Sequence, residues 1–273
     1  LIITALMLIV GCSSDPIDVD KLVERGGLLY EVNSDKPYSG PAFSLYENGQ
    51  KEEEGTLKDG KLDEKWTKWY MNGQKEEEGT YKDGKPDGKW IRWYENGQKI
   101  REGTYKDEEF DGKWTEWYEN GQKEKEGTYK DGKPDGKWTG WYENGEKSKE
   151  ETYKDGEFDG KWTSWYENGQ KWLEGTMKDG KANGLFTTWD ENNGQKINET
   201  TYKDGEFDGK WTEWYENGQK IREGTYKNGE PDGLTTTWHE NGQKWLEGTY
   251  KDGVLITAEC WDEDGNEKDC PEE

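Results

Sequence analysis

The residues able to do chemistry are few and poorly placed for catalysis. The chain of 273 residues holds one histidine and three cysteines against 62 Asp and Glu. His239 stands where most neighbouring segments carry Tyr, as at Tyr94, Tyr118 and Tyr142. It therefore reads as a substitution within a repeating pattern and not as a general base. Carboxylates this numerous form close pairs by chance, which leaves a glycosidase reading without support. No Ser-His-Asp set or dinucleotide motif occurs in context. Glycine turns such as Asp83-Gly84-Lys85-Pro86-Asp87-Gly88 lack the Gly-Lys-Ser/Thr ending of a phosphate loop and the order of a calcium loop. The expectation is a protein that is not an enzyme, with no cofactor and no metal.

The cysteines point to export. Residues Leu1 to Val10 are almost wholly apolar, too short to span a bilayer but suited to the core of a signal peptide. Ile9-Val10-Gly11-Cys12 resembles a bacterial lipobox, in which the cysteine is lipidated and becomes the new N-terminus. The start lacks an initiator Met and a basic region, and reads as truncated. The competing reading is a buried N-terminal strand with an ordinary Cys12. The first reading gives a signal peptide over 1–11, a lipidated tether over 12–25 and a repeat array over 26–273. It implies a lipid-anchored protein of the bacterial cell envelope, touching the membrane through its anchor only. Ser13 in second place favours the outer membrane or cell surface over the inner membrane, by analogy with enterobacterial sorting. Cys260 and Cys270 flank the last turn and suit a hairpin staple in an oxidising compartment. Two free thiols are the alternative. A zinc site is excluded, because two lone sulfurs do not complete a tetrahedron.

The elements that would position these residues come from a repeat. The glycine of an Asn-Gly dipeptide falls at Gly49, Gly73, Gly97, Gly121, Gly145 and Gly169, a constant step of 24. One extra residue at Asn192-Asn193 moves the next to Gly194, followed by Gly218, Gly242 and a degenerate copy at Gly265. Each copy has two aromatic-rich runs, Trp114 to Tyr118 and Gln122 to Lys130 in one example. Asn120-Gly121 and Asp131-Gly132 separate them and favour two-residue hairpin turns. Runs rich in Trp, Tyr and Thr between such turns read as strands. The expected fold is all-β: an elongated, single-layer antiparallel meander of tandem β-hairpins.

Register follows from the turn. With Asn96 and Gly97 as the two central residues, Trp93 faces Ile100 and Trp90 faces Gly103. The same arithmetic sets Trp66 against Gly79, Trp114 against Gly127, Trp162 against Gly175 and Trp211 against Gly224, with Trp138 facing Glu151 as the exception. A large ring over a strand glycine is a stabilising device. A three-residue loop would instead pair Trp90 with Glu102. Alternation puts Trp90, Arg92 and Tyr94 on one face, Ile91 and Trp93 on the other.

Composition alone would suggest disorder, with 28% hydrophobic residues, 37% charged and a net charge of −24. Against that, 17 Trp and 16 Tyr recur at fixed places, which a disordered chain has no need to maintain. The negative charge disfavours nucleic acid. The aromatic ladders form the sheet's core, and one face can also stay open as a platform. Its candidate aromatics are Trp93, Trp117, Trp141, Trp165, Trp189, Trp214 and Trp238.

Trp-Tyr-Glu-Asn-Gly-Gln-Lys followed by Glu-Gly-Thr-Tyr-Lys-Asp-Gly-Lys-x-Asp-Gly, as in Trp93 to Gly112 and Trp117 to Gly136, resembles the MORN-repeat variant of bacterial YwqK-family antitoxin components. The resemblance spans about residues 40 to 265. It implies an all-β hairpin array, a protein partner of which a toxin is one version, and no catalytic motif. The reading from the residues is a non-catalytic protein-binding scaffold; the alternative is a carbohydrate-binding surface module using exposed Trp and Tyr.

Overall fold

A computed structural model describes residues 15–270. It falls into two compact units, residues up to Gly121 and residues from Gln122 on. From Gly40 on, both are antiparallel meanders in which strands pair with their neighbours in sequence. The described residues contain no α-helix, as the all-β reading requires.

A typical copy has a strand ending in Trp-x-x-Trp, such as Gly88–Trp93, and a longer one such as Lys99–Lys106. The Asp-Gly dipeptides between copies form the two-residue turns that the sequence implies. Asp131 and Gly132 both take positive φ, 47° and 73°, and Lys130 pairs directly with Lys133. The following Asp87-Gly88 is not a turn but a break within a strand. Asp87 N–H donates to Thr80 O at 2.9 Å while Gly88 sits at φ +95°, and the pattern recurs at Asp111, Asp159 and Asp232.

The Asn-Gly turn differs from expectation. Tyr94 N–H donates to Gln98 O at 2.8 Å and Gly97 N–H to Tyr94 O at 2.9 Å. The loop is therefore the three residues Glu95–Gly97, and Gly97 alone takes positive φ, +83°. Trp93 pairs with Lys99, not Ile100, and the register shifts at Ile100. That bulge restores the long-range register, so Trp90 still faces Gly103. Trp66 likewise faces Gly79, Trp162 faces Gly175, Trp211 faces Gly224 and Trp138 faces Glu151. Two local departures cancel: a longer loop adds one residue and a bulge removes it. The extra Asn192-Asn193 residue is absorbed inside its loop, where the Asp190 carboxylate accepts from both N–H groups at 2.9 and 3.1 Å.

Strand glycines are required by space. A Cβ on Gly103 would lie 2.0 Å from Trp114 Cε3, and one on Gly79 would lie 2.3 Å from Trp90 Cε2. Gly79 thus lies between Trp66, its paired residue, and Trp90, and the two rings approach to 5.8 Å. Where Glu151 replaces the glycine, its carboxylate is buried. It accepts from Tyr153 Oη and pairs with Lys149 Nζ, both at 3.2 Å.

The ends depart from a single antiparallel layer. The segment expected as a tether is ordered from β1 (Ile17–Asp18) through a short 3-10 turn, Val19–Lys21, into β2 (Leu22–Arg25). β1 pairs in parallel with β4 (Gly40–Leu45), and β2 pairs with β3 (Leu28–Glu31) in a separate two-stranded sheet. Leu22, Tyr38, Ala42 and Leu57 form a buried cluster with Ile17, Val19, Leu29 and Leu62 packed on it. The apolar side chains of Ile17, Val19, Leu22 and Leu29 drive this fold-back; a tether would leave them in water. Cys12 and the apolar run before it lie outside the described residues.

Replacing Gly103 by Val should destabilise the protein by about 1–3 kcal/mol through overpacking against Trp114. Chemical denaturation measures it; an unchanged midpoint would contradict the close approach.

Candidate binding faces and the links between copies

The two faces of the sheet carry different chemistry. One face holds the first Trp of each copy, the strand glycines and Tyr81, Tyr105, Tyr129 and Tyr153. Tyr81 packs edge-on to Trp66 and Trp90, at 6.0 and 5.3 Å between centroids. Trp114 and Trp138 are buried at 4% and 2% relative exposure. This face is the core.

The other face carries the second Trp of each copy, the candidate platform row. Trp93, Trp117, Trp141, Trp165, Trp189, Trp214 and Trp238 are all half-buried. A lysine of the preceding copy lies over most of these rings. Lys75 Nζ is 5.7 Å from the Trp93 centroid, Lys147 Nζ 5.8 Å from Trp165 and Lys220 Nζ 5.6 Å from Trp238. The same lysine pairs with a glutamate three residues on: Lys147 with Glu150 at 2.6 Å and Lys171 with Glu174 at 2.7 Å. A second lysine from the adjacent strand joins them, Lys161 to Glu174 at 3.0 Å. These hydrogen bonds hold the carboxyls of Glu174 and Glu223 below the usual range. The row is thus clasped by its own chain, each clasp worth at most about 1 kcal/mol at this exposure.

The residues around the Asn-Gly turn bind the next copy. Tyr94 Oη donates to Trp117 O at 3.1 Å, Tyr142 Oη to Trp165 O at 2.7 Å and Tyr166 Oη to Trp189 O at 2.9 Å. His239 Nε2 makes the equivalent contact with Trp261 O at 3.2 Å, so it does a tyrosine's work. Asn168 accepts from Gln170 N at 2.9 Å within its own turn. It also donates through Nδ2 to Glu191 O of the next at 2.8 Å. The glutamine then lies against the next turn glycine, with Gln98 Oε1 2.9 Å from where a Gly121 Cβ would stand. At the other edge, Gly180 N–H donates to Phe158 O at 2.9 Å.

Read from the sequence, Asn-Gly is a turn signal only, and this linking role is missed. A signal for it does exist: a turn needs neither the Tyr before it nor the Gln after it. Cys260 and Cys270 are joined by a disulfide with Cα atoms 5.3 Å apart, and Cys260 is fully buried. It ties the final short strand, Glu267–Lys268, to the end of the sheet. Among the described residues, no group of three or more His, Cys, Asp or Glu is arranged to hold a metal.

Burial raises the phenols of Tyr81, Tyr105 and Tyr202 above their ordinary value of 10.0. Burial also raises Tyr153, with the Glu151 carboxylate adding to it. A group raised in the folded state stabilises fully below its unfolded pKa and loses that contribution as pH climbs toward its folded pKa. The array should keep its circular dichroism to about pH 10 and lose it above. Tyr105→Phe, which cannot ionise, should move the alkaline midpoint upward; an unmoved midpoint would contradict the buried phenol. Asn168→Ala should cost about 1–2 kcal/mol, through two lost hydrogen bonds, with Asn168→Asp intermediate because it keeps only the bond within its own turn. Equal stability of all three would contradict the link.

The MORN repeat variant family matches at residues 86–107, 110–131, 134–155, 158–179, 207–228 and 231–252. No curated protein matches the sequence. A crystal structure of TcdB2-TccC3 aligns at 12% identity and a TM-score of 0.20, covering 85% of this chain and 16% of that one. A second, of TcdB2-TccC3-TEV, aligns at 10% identity and 0.21, covering 85% and 15%. The chain thus spans under a fifth of those structures, and at such scores the likeness carries no argument. Six copies of the hairpin array thus match the MORN repeat variant.

Proposed function

We propose that the protein is a non-catalytic, lipid-anchored scaffold of the bacterial cell envelope that binds a protein partner. The observation that carries this reading is where the copies differ. Positions constant from copy to copy are occupied in holding the array together. The positions that vary line up in register across one face, next to the buried Trp row. In the second unit the row runs Lys125, Gly140, Lys149, Ser164, Leu173 and Thr188, each paired with the next; Gly140 and Ser164 are buried and the other four half-buried. It continues through Asn198 and Glu213 to Arg222. Beside it Trp172 and Trp245 are 44% and 37% exposed. A constant frame with a variable, continuous row is how repeat proteins present a surface to another macromolecule, and exposed Trp is a typical anchor.

The lipobox-like Ile9-Val10-Gly11-Cys12 supports the anchor, and the buried disulfide fits an oxidising compartment. The resemblance to YwqK-family antitoxin components makes a toxin the first partner to seek.

Trp172→Ala should leave the fold intact and weaken partner retention from envelope extract by about tenfold or more. Cys12→Ala should release the protein from membranes. Undiminished capture by Trp172→Ala, or retention on glycans in place of a protein, would contradict the scaffold. Membrane retention without Cys12 would contradict the anchor.

A further inference from the structure

The core row of tryptophans begins with a gap. In the copies that follow, a strand glycine has an indole on each side: Gly79 pairs with Trp66 and meets Trp90 on its other flank, although further along Phe186 and Thr235 take an indole's place beside Gly175 and Gly224. Gly103 stands in the same way between Trp90 and Trp114. At the first such glycine, Gly55, Trp66 lies on one side but Ala42 on the other. The missing ring leaves a cavity of about 260 Å³, lined by Ala42, Phe43, Gly55, Leu57, Leu62 and Trp66, with Val19 and Leu29 of the N-terminal segment. An apolar cavity of about 150 Å³ is enough to bind benzene, so this one has room for a bicyclic ring.

Its polar wall matches the same ring. In two later copies the indole N–H donates to the side chain two residues on, Trp162 Nε1 to Ser164 Oγ at 3.0 Å and Trp114 Nε1 to Glu116 Oε1 at 2.7 Å, whereas Trp90 and Trp138 donate to Thr80 O and Thr128 O, both at 3.2 Å. Ser44 holds that place relative to Ala42 and lines the cavity. Its hydroxyl donates to Glu52 at 3.4 Å, which leaves its lone pairs free to accept. The space over Gly55 is taken by Trp66 and Leu62, so what the cavity offers is a neighbouring indole, Trp66, and a hydrogen-bond acceptor, Ser44, placed as Ser164 is for Trp162.

We propose that this cavity takes the indole of a tryptophan side chain from the partner protein, completing the row at its first position. The proposal rests on the protein-binding reading and names its anchor. An exposed tryptophan on the partner would lose its apolar surface to the cavity and give its N–H to Ser44.

Indole itself is the probe, titrated into the ¹⁵N-labelled full chain. Saturable amide shifts are expected at Ala42, Gly55, Leu57 and Leu62. Ala42→Trp, which installs the residue later copies carry, should abolish them, and Ala42→Leu should do so with a smaller side chain. Circular dichroism establishes that each variant is folded. Both variants should also lose the protein that the wild type captures from envelope extract. Absent shifts, or shifts that persist in both folded variants, would overturn the site. Equal partner capture by the variants would overturn its docking role and leave the scaffold reading standing. Indole binding with no partner captured by wild type would overturn both. Self-association of the wild type that Ala42→Trp abolishes would make the occupant a second copy and overturn the partner as its source.

Discussion

The structure depends on hydrogen bonds that leave each turn and end on the backbone of an adjacent copy. A hairpin of this size has too little apolar surface to be stable alone. Here Tyr, Asn and the turn glycine convert each copy into the template for its successor, satisfying carbonyls that would otherwise face water or a neighbouring side chain. The bonds are individually modest, about 1 kcal/mol each. Their effect is large because they repeat and fix the spacing at which rings meet glycines. A ring displaced by one residue would point to the opposite face, so spacing and packing enforce each other.

This constraint divides the surface by function. Lys-Glu pairs and the second tryptophans occupy one face with contacts inside the chain. On the other, the first tryptophans and tyrosines pack closely. What remains free to differ is the row between the buried rings and the turns, where Arg92 and Arg101 stand in the first unit and Lys149 and Leu173 in the second. A change there alters what the surface offers without disturbing the frame. Removing Trp114 or Gly103 would do the reverse. The two ends are closed differently, by a folded-back apolar segment at one and by a disulfide at the other. Both devices shield a strand edge that would otherwise be open to pairing.

Much of this was legible in the sequence, for physical reasons. The step of 24 residues and the pairing of Trp with Gly are set by local chemistry, so the hairpins and their long-range register could be read directly. The Asn-Gly turn could not. Asn in such a dipeptide often takes positive φ, whereas here its side chain reaches the next turn, a contact visible only once two turns are stacked. The bulge at Ile100 was equally hidden, since nothing in Lys-Ile-Arg marks it. The cap formed by residues 17–31 was obscured by its acidic and basic residues, which face water while Leu22 and Leu29 turn inward. The cavity at Ala42 was visible only as an atypical first copy.

Copy number is the decisive variable. Polypeptides of one, two, four and six consecutive copies, cut at equivalent turns, can be compared by circular dichroism and chemical denaturation. If each copy is held chiefly by the next, a single copy is unfolded, and the denaturation midpoint rises with every copy added before levelling off. A single copy that folds as stably as the six-copy polypeptide would contradict it.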